Sequence, residues 1–237
     1  MSATAFRGCL RAALTSLTLL ASVALADVPQ FGGVWQALNP PMALRTVEGK
    51  EPPLLPAAKA LYAQRKAQFD RGDVSFDPTE TRCAPPGEPR IFTEDMPFDI
   101  VQTPQKLLFG FQWNRLIRYV TLNSKLDVIS PYYFGTSVGA FENGQLRVDA
   151  EGFNDRFFLD RSGLPHSDQL KLHETFSLGG AGDTMTLRIR FEDPKTFARP
   201  WTTELHFRKL PRARIAEDIC TMRKHLVPQD LQFFDPK

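Results

Sequence analysis

The sequence predicts an all-β fold, an antiparallel up-and-down barrel of the lipocalin-like kind with one N-terminal helix. From Arg90 onward apolar and polar residues alternate with a period of two. Turn signals recur about every eight to twelve residues, as in all-β domains, and each alternating segment has one apolar and one polar face. A two-sheet β-sandwich has the same pattern and is the alternative. We favour the barrel because closure of at least eight such strands removes exposed sheet edges.

The first 26 residues have the pattern of an export signal. Arg7 and Arg11 supply positive charge, residues 12–23 are small and apolar, and Ala24-Leu-Ala26 is a cleavage motif of the A-x-A type. The apolar run is shorter than the roughly 18 to 20 residues that span a membrane. We therefore predict cleavage after Ala26 and a soluble periplasmic or secreted protein without stable membrane insertion.

The chain that remains after cleavage has no net charge. The full sequence has 29 lysines and arginines and 27 aspartates and glutamates. The signal segment contains Arg7 and Arg11 and no acidic residue, so 27 residues of each sign remain. This balance argues against a nucleic-acid partner, which requires a basic surface.

The remaining 211 residues are predicted to form one domain with short additions, because their composition shows no linker between residues 80 and 220. Residues 27–80 form an extended and helical segment packed on the barrel. Its helix begins near Pro56, since proline is tolerated in a first helical turn, and ends near Gly72. The barrel domain covers residues 81–223, and residues 224–237 form a C-terminal tail.

Alternating segments follow one another through the barrel domain. The Asn143-Gly144 pair separates two of them and is the strongest short-range signal for a β-hairpin. Residues 31–35 add a short strand-like entry before the helix. The main alternating segments are residues 107–113, 115–122, 137–141, 145–150, 170–176, 185–191 and 201–207.

Two cysteines remain after cleavage, Cys83 and Cys220. An even number in an oxidising compartment predicts a disulfide between them. It would close a loop of about 140 residues, for which loop-closure entropy corresponds to about 4 to 5 kcal/mol. Two separate buried thiols are the alternative. The spacing matches neither a CxxC redox motif nor a zinc cluster.

Several motifs together resemble a large family of exported bacterial proteins of unassigned function, and the resemblance covers roughly residues 30 to 223. It implies a lipocalin-like (calycin-like) barrel. This chain differs in having Phe141 and Phe157 where that family has tryptophans, and Asn143 where Gly-Asp is usual. The motifs are Cys83-Ala-Pro-Pro-Gly-Glu-Pro-Arg90, Val101-Gln-Thr-Pro104, Gly135-Thr-Ser-Val-Gly139, Glu142-Asn-Gly144, Leu146-Arg-Val-Asp149, Gly152-Phe-Asn-Asp155, Leu159-Asp-Arg-Ser-Gly-Leu-Pro-His-Ser-Asp168, Glu192-Asp-Pro194 and Pro200-Trp-Thr202.

His166 is the first candidate for a catalytic side chain. It follows a proline in a polar loop before a strand, and loops on a rigid scaffold commonly present functional groups. Asp155, Asp160 and Asp168 lie close in sequence and could orient its imidazole, as a general base requires. The alternative is a structural loop in which these acids accept backbone N–H bonds.

Glu174 is the second candidate, because the alternation places it on the apolar face of its strand. Burial raises the pKa of a carboxyl unless a cation pairs with it. Arg118 has the matching parity and is the expected partner. The two could form a structural ion pair, or an acid and a cation that bind the polar end of an apolar ligand.

We expect no metal and no cofactor. His166 and His173 have opposite strand parity, so the His166-x-Asp168-x4-His173 spacing does not form a metal site. Glycine-rich loops of Walker or Rossmann spacing are absent from the sequence. The Gly135-Thr-Ser137-Val-Gly139 run has the letters of a nucleophile elbow, but it leads into a hairpin rather than a helix.

Two main functions follow. The first is a binding barrel whose aromatic interior holds a hydrophobic small molecule. The second is a cofactor-free isomerase, hydratase or cyclase, with His166 as base, Asp155 or Asp160 orienting it, and Glu174 or Arg118 stabilising developing charge. A structural envelope role is the third. The sequence leaves open whether the protein is an enzyme, its ligand and its oligomeric state. The aromatic residues expected to line the interior are Phe109, Phe111, Phe176, Phe191, Trp201 and Phe207.

Overall fold

Nine strands form one closed barrel in the computed structural model, which describes residues 28–128 and 130–224. Each strand is hydrogen-bonded to the next along the chain, and the last returns to the first. The predicted barrel is confirmed, and the sandwich is wrong because the sheet closes on itself. The strands are β1 (Gly33–Ala37), β2 (Phe98–Gln102), β3 (Lys106–Phe111), β4 (Ile117–Leu122), β5 (Thr136–Glu142), β6 (Gln145–Glu151), β7 (Lys171–Leu178), β8 (Thr184–Glu192) and β9 (Trp201–Lys209).

One pair of neighbouring strands departs from the antiparallel prediction. β4 and β5 run parallel, whereas the other neighbouring pairs are antiparallel. A closed ring with an odd number of strands cannot alternate in direction all the way round, so it needs at least one parallel pair. The connection over residues 123–135 carries the chain back along the barrel to the start of β5. The strand order is therefore that of a meander with one parallel step.

The register explains which side chains face the interior. Partners across neighbouring strands point to the same face of a sheet. Glu174 lies opposite Val148 of β6 and Ile189 of β8, and both of these are buried. Arg118 lies opposite the buried Phe109 of β3. Glu174 and Arg118 therefore both point into the barrel.

The predicted helix is present as α1 (Pro56–Asp70). Its buried Tyr62 holds it to the barrel loops, because the hydroxyl lies 2.8 Å from Ser162 Oγ. Two short helices, α2 (Pro78–Arg82) and α3 (Cys220–Arg223), and the strand β2 add to the predicted elements. In the described part of the chain, helices with the length and apolarity to cross a membrane are absent.

A segment outside the sheet fills the middle of the barrel. Residues 87–93, which we call the plug segment, include a 3₁₀ turn at Arg90–Thr93. The Phe92 ring of this turn is buried among rings from β2, β3, β7 and β9, with centroid distances between 5.2 and 6.3 Å. The plug segment thus supplies apolar core to the barrel interior. The surrounding rings belong to Phe98, Phe109, Phe111, Phe176 and Phe207.

The plug segment is also held by ion pairs of Arg90 and by a disulfide just before it in the sequence. Arg90 is fully buried and bonds Asp77 of the α2 N-cap at 2.7 Å and Glu94 at 3.0 Å. Cys83 and Cys220 form the predicted disulfide, with Cα atoms 5.8 Å apart. The disulfide joins the chain just before the plug segment to α3. The plug segment is therefore held in place through Arg90 within it and through Cys83 before it.

The predicted signal peptide, residues 1–26, lies outside the described residues, and so does the predicted tail beyond residue 224. The structure describes only the first residue of that tail, Lys224. Its ammonium group pairs with Glu80 of α2.

We expect loss of the disulfide to destabilise the protein by about 3 to 5 kcal/mol, because the bond closes a loop between residues 137 apart in sequence. Urea unfolding of a Cys83→Ala/Cys220→Ala variant, followed by circular dichroism, measures this difference. Reduced wild type is the control and should unfold at the same midpoint as the variant. Equal stability of oxidised wild type and the variant would contradict the expectation.

Candidate functional site

A cluster of charged side chains lies inside the barrel, and we call Glu88, Arg118, Ser137 and Glu174 the interior charge cluster. Arg118 Nη2 lies 2.6 Å from Glu174 Oε2 and 3.0 Å from Ser137 Oγ. Arg118 Nε donates a further bond to Ser137 Oγ at 3.2 Å, and Nη1 contacts Glu88 Oε1. The side chains of the two glutamates and the arginine are at most 1% exposed.

Each member reaches the interior from a different element. Arg118 and Ser137 lie on the neighbouring strands β4 and β5, and Glu174 lies on β7. Glu88 belongs to the plug segment. Gly87 allows this placement: its φ is +69°, and a Cβ there would lie 2.2 Å from the ring of Phe157. The site therefore depends on the plug segment as well as on three strands.

The electrostatics of the cluster follow from burial. Transfer of Glu88 away from water raises its pKa well above the usual range, and the nearby Glu174 carboxyl raises it further, while Arg118 opposes the shift. The two carboxylates flank Arg118 and raise the pKa of its guanidinium against desolvation. Burial therefore favours the neutral form of Glu88, while the charge of Arg118 favours its carboxylate form.

Glu88 is the member that sequence reasoning missed. Alternation identified Arg118 and Glu174 because a period of two assigns each strand residue to a face. Glu88 lies between Gly87 and Pro89 in a segment without such a period. The only available signal was an acidic residue enclosed by turn-forming residues shortly after Cys83.

The aromatic residues proposed to line the interior fall into two groups. Phe109, Phe111 and Phe176 surround the Phe92 ring of the plug segment. Trp201 instead stacks on its cross-strand partner Phe191, with ring centroids 4.1 Å apart and planes 4° apart. All of these residues belong to the buried core.

His166 lies in the loop between β6 and β7 and is 9% exposed. Its Nδ1 is 3.0 Å from the carbonyl oxygen of Ser167, and its ring centroid is 4.1 Å from that of Phe157. Burial lowers the pKa of the imidazole, although the Ser167 carbonyl and Asp193 oppose this. A neutral ring that donates through Nδ1 has an unprotonated Nε2.

Among the described residues, neither a hydrogen bond nor an ion pair joins His166 to Glu174. In the described ranges the hydrogen bonds and ion pairs of the Glu174 side chain are with Arg118, and those of His166 are with its own loop. An acid–base enzyme of the kind considered from the sequence needs both groups around one substrate. The acid–base alternative therefore stays a prediction from the sequence.

Asp160 organises the loop and is fully buried. Its Oδ2 accepts bonds from the Leu44 amide at 2.9 Å and the Tyr62 hydroxyl at 3.2 Å. Its Oδ1 accepts bonds from Ser162 Oγ at 2.9 Å and the Leu164 amide at 3.0 Å. Burial raises the pKa of this carboxyl while the four donors lower it. Its contacts join α1, the segment at residue 44 and the loop itself.

The other two aspartates considered with His166 are exposed. Asp155 lies on the surface of the loop, and Asp168 forms an exposed ion pair with Lys195 at 2.8 Å. Neither hydrogen-bonds to the imidazole in the parts of the chain that the structure describes. His173 pairs with Asp149 at 2.6 Å on the outer wall. Groups of three potential metal ligands are absent from the described residues.

Comparison with models of known protein families and with curated proteins finds no match for this chain. The resemblance of its motifs to exported bacterial proteins therefore stays a prediction from the sequence.

Asp160→Asn should destabilise the protein by about 2 to 4 kcal/mol, because an amide cannot accept all four hydrogen bonds that the buried carboxylate accepts. Asp155→Asn is the matched control and should change stability by less than about 0.5 kcal/mol, since Asp155 is exposed. Thermal and urea unfolding of the two variants measure the difference. Equal effects would show that Asp160 has no special structural role.

Glu88→Gln should change how stability depends on pH. The folded-state pKa of Glu88 is raised, so its contribution to stability is complete below the unfolded pKa of about 4.3 and is lost as pH rises through the folded pKa. Wild type should lose about 1.4 kcal/mol, relative to the variant, for each unit by which the folded pKa exceeds the unfolded one. Urea unfolding between pH 5 and 9 measures this, with exposed Glu217→Gln as the control. A constant difference between wild type and Glu88→Gln would refute the raised pKa.

Proposed function

We propose that this protein is a binding protein, periplasmic or secreted, that holds a hydrophobic small molecule inside a lipocalin-like barrel. The fold supports the proposal because the nine-stranded barrel is closed. Barrels of about this size have interiors that are filled by side chains or hold one small ligand. The interior here is apolar and rich in aromatic side chains, as the walls of small-molecule sites are.

The interior charge cluster is the observation that carries the proposal. Removal of an arginine and two glutamates from water costs several kcal/mol per ion, and apolar residues of similar size often give an equally stable core. Ligand sites, by contrast, combine apolar walls with a few polar groups that orient the ligand. Arg118, Glu88 and Glu174 have the position of such a polar anchor at the centre of an aromatic barrel.

The plug segment supports a route for the ligand. Its Ile91 and Phe92 amides bond within the segment, to Gly87 O at 2.9 Å and Pro89 O at 3.0 Å. The barrel strands bond to one another. Outward movement of the Phe92 ring would therefore leave the strand ladders intact. In this proposal an apolar ligand takes the place of the Phe92 ring.

The compartment is part of the same proposal. The disulfide between Cys83 and Cys220 supports an oxidising environment such as the periplasm or the extracellular space. The signal pattern before Asp27 and cleavage after Ala26 are consistent with it, as is the proposed membership of the exported bacterial family.

Titration with the fluorescent apolar probe N-phenyl-1-naphthylamine tests the proposal. We expect saturable one-site binding to wild type and tighter binding to Phe92→Ala by at least about tenfold, because the side chain that occupies the interior is removed. Phe92→Ala costs about 3 to 5 kcal/mol of stability, so the milder Phe92→Leu is measured in parallel.

The control is Phe158→Ala. The Phe158 ring packs on Phe76 and lies under the guanidinium of Arg65 of α1, outside the barrel. Its removal should leave the affinity unchanged. Equal gains in both phenylalanine variants would show that the probe reports general loosening, and absence of binding to all of the proteins would show that the barrel is not a ligand site.

A further inference from the structure

Most hydrogen-bond donors of the interior charge cluster have partners within the protein. A guanidinium has five N–H groups on three nitrogens. In Arg118, Nε bonds Ser137, Nη2 bonds both Ser137 and Glu174, and Nη1 contacts Glu88. Nε and Nη2 of Arg118 thus have hydrogen-bond partners within the cluster, whereas Nη1 has, among the described residues, only the ion-pair contact with Glu88. The guanidinium is in place as the internal counter-ion of the two glutamates.

Several acceptor oxygens of the cluster have no hydrogen-bond partner among the residues that the structure describes. Glu88 Oε2 and Glu174 Oε1 are buried, and within the described parts of the chain neither oxygen has a hydrogen-bond partner. Buried polar atoms are almost always hydrogen-bonded, and an unpaired one costs about 1 to 3 kcal/mol. The oxygens belong to two carboxyls that lie against one guanidinium. In the same described ranges Glu88 Oε1 and Arg118 Nη1 also lack a hydrogen bond but lie against each other as an ion pair, so the acceptors without a partner outnumber the donors in the cluster.

This excess of acceptors decides between classes of ligand. A carboxylate or phosphate head would find only the N–H groups of Arg118 Nη1, which already lies against Glu88, and it would lie beside two carboxyl groups. An ammonium head has three N–H donors and no acceptor, so it can bond both unpaired oxygens. It would also bring positive charge to a site where two carboxyl groups share one guanidinium.

We propose that the ligand of this barrel carries a protonated amine that binds between Glu88 and Glu174, with its apolar body against the aromatic interior. This inference rests on the proposed binding function. It assigns the recognition of the head group to the two carboxylates and leaves Arg118 as the residue that positions them.

Isothermal titration with decylamine, decanol and decanoate tests this inference, because the three probes share one apolar body and differ only in the head group. We expect decylamine to bind wild type and Phe92→Leu at least about tenfold more tightly than decanoate.

Variants separate recognition from stability. Glu88→Gln should lower the affinity for decylamine by about tenfold or more and leave that for decanol within about twofold. Exposed Glu142→Gln is the matched control and should change neither affinity.

Tight binding of decanoate and decanol without a preference for decylamine would overturn the amine inference and leave the apolar site standing. An unchanged affinity of Glu88→Gln for decylamine would also overturn it. Failure of all three probes, together with failure of N-phenyl-1-naphthylamine, would overturn the binding function itself.

Discussion

The ion contacts of Arg118 are the constraint on which the rest of the barrel interior depends. A guanidinium that is 1% exposed is tolerated only when its N–H groups are paired with acceptors. The partners come from β5, β7 and the plug segment, so the position of one side chain on β4 ties together elements that are distant in sequence. Displacement of any one of these elements would leave a buried charge without its partner. Burial of charged groups costs free energy unless each charge is paired. The charged side chains of this cluster lie inside the barrel, next to its apolar core.

The plug segment carries two charged side chains of opposite sign, Glu88 and Arg90, which are buried in different places. Glu88 enters the barrel and meets Arg118, while Arg90, two residues later, is buried against Asp77 and Glu94 near α2. Two residues after Arg90, the Phe92 ring of the 3₁₀ turn packs among the aromatic rings inside the barrel. The disulfide closes a loop between the start of the plug segment and α3 in the unfolded chain. It lowers the entropy of the unfolded state and so stabilises this arrangement. The combination accounts for a segment that lies inside a barrel without joining its sheet.

The polar loop between β6 and β7 shows how acidic residues serve a fold. Asp160 accepts four hydrogen bonds and is a structural centre. Asp193 plays a similar part, since its carboxylate accepts bonds from the amide and the hydroxyl of Ser167 at 2.6 and 2.7 Å. That contact holds the residue next to His166. The acidic residues and the histidine of this loop are close in sequence but have different surroundings. Asp160 accepts hydrogen bonds in the core, Asp155 and Asp168 are exposed, and the imidazole of His166 is buried.

The sequence by itself determined the β class, the principal strands, the hairpin at Asn143-Gly144, the helix α1 and the pairing of Cys83 with Cys220. These follow from local rules: the alternation of a strand, the conformational demands of a turn and the parity of cysteines. Alternation also placed Arg118 and Glu174 on inner faces. Only the tertiary structure decided that β4 and β5 run parallel, that the plug segment enters the barrel and that Glu88 joins Arg118. Ring closure and the burial of a loop depend on contacts between residues far apart along the chain, and no local periodicity encodes such contacts.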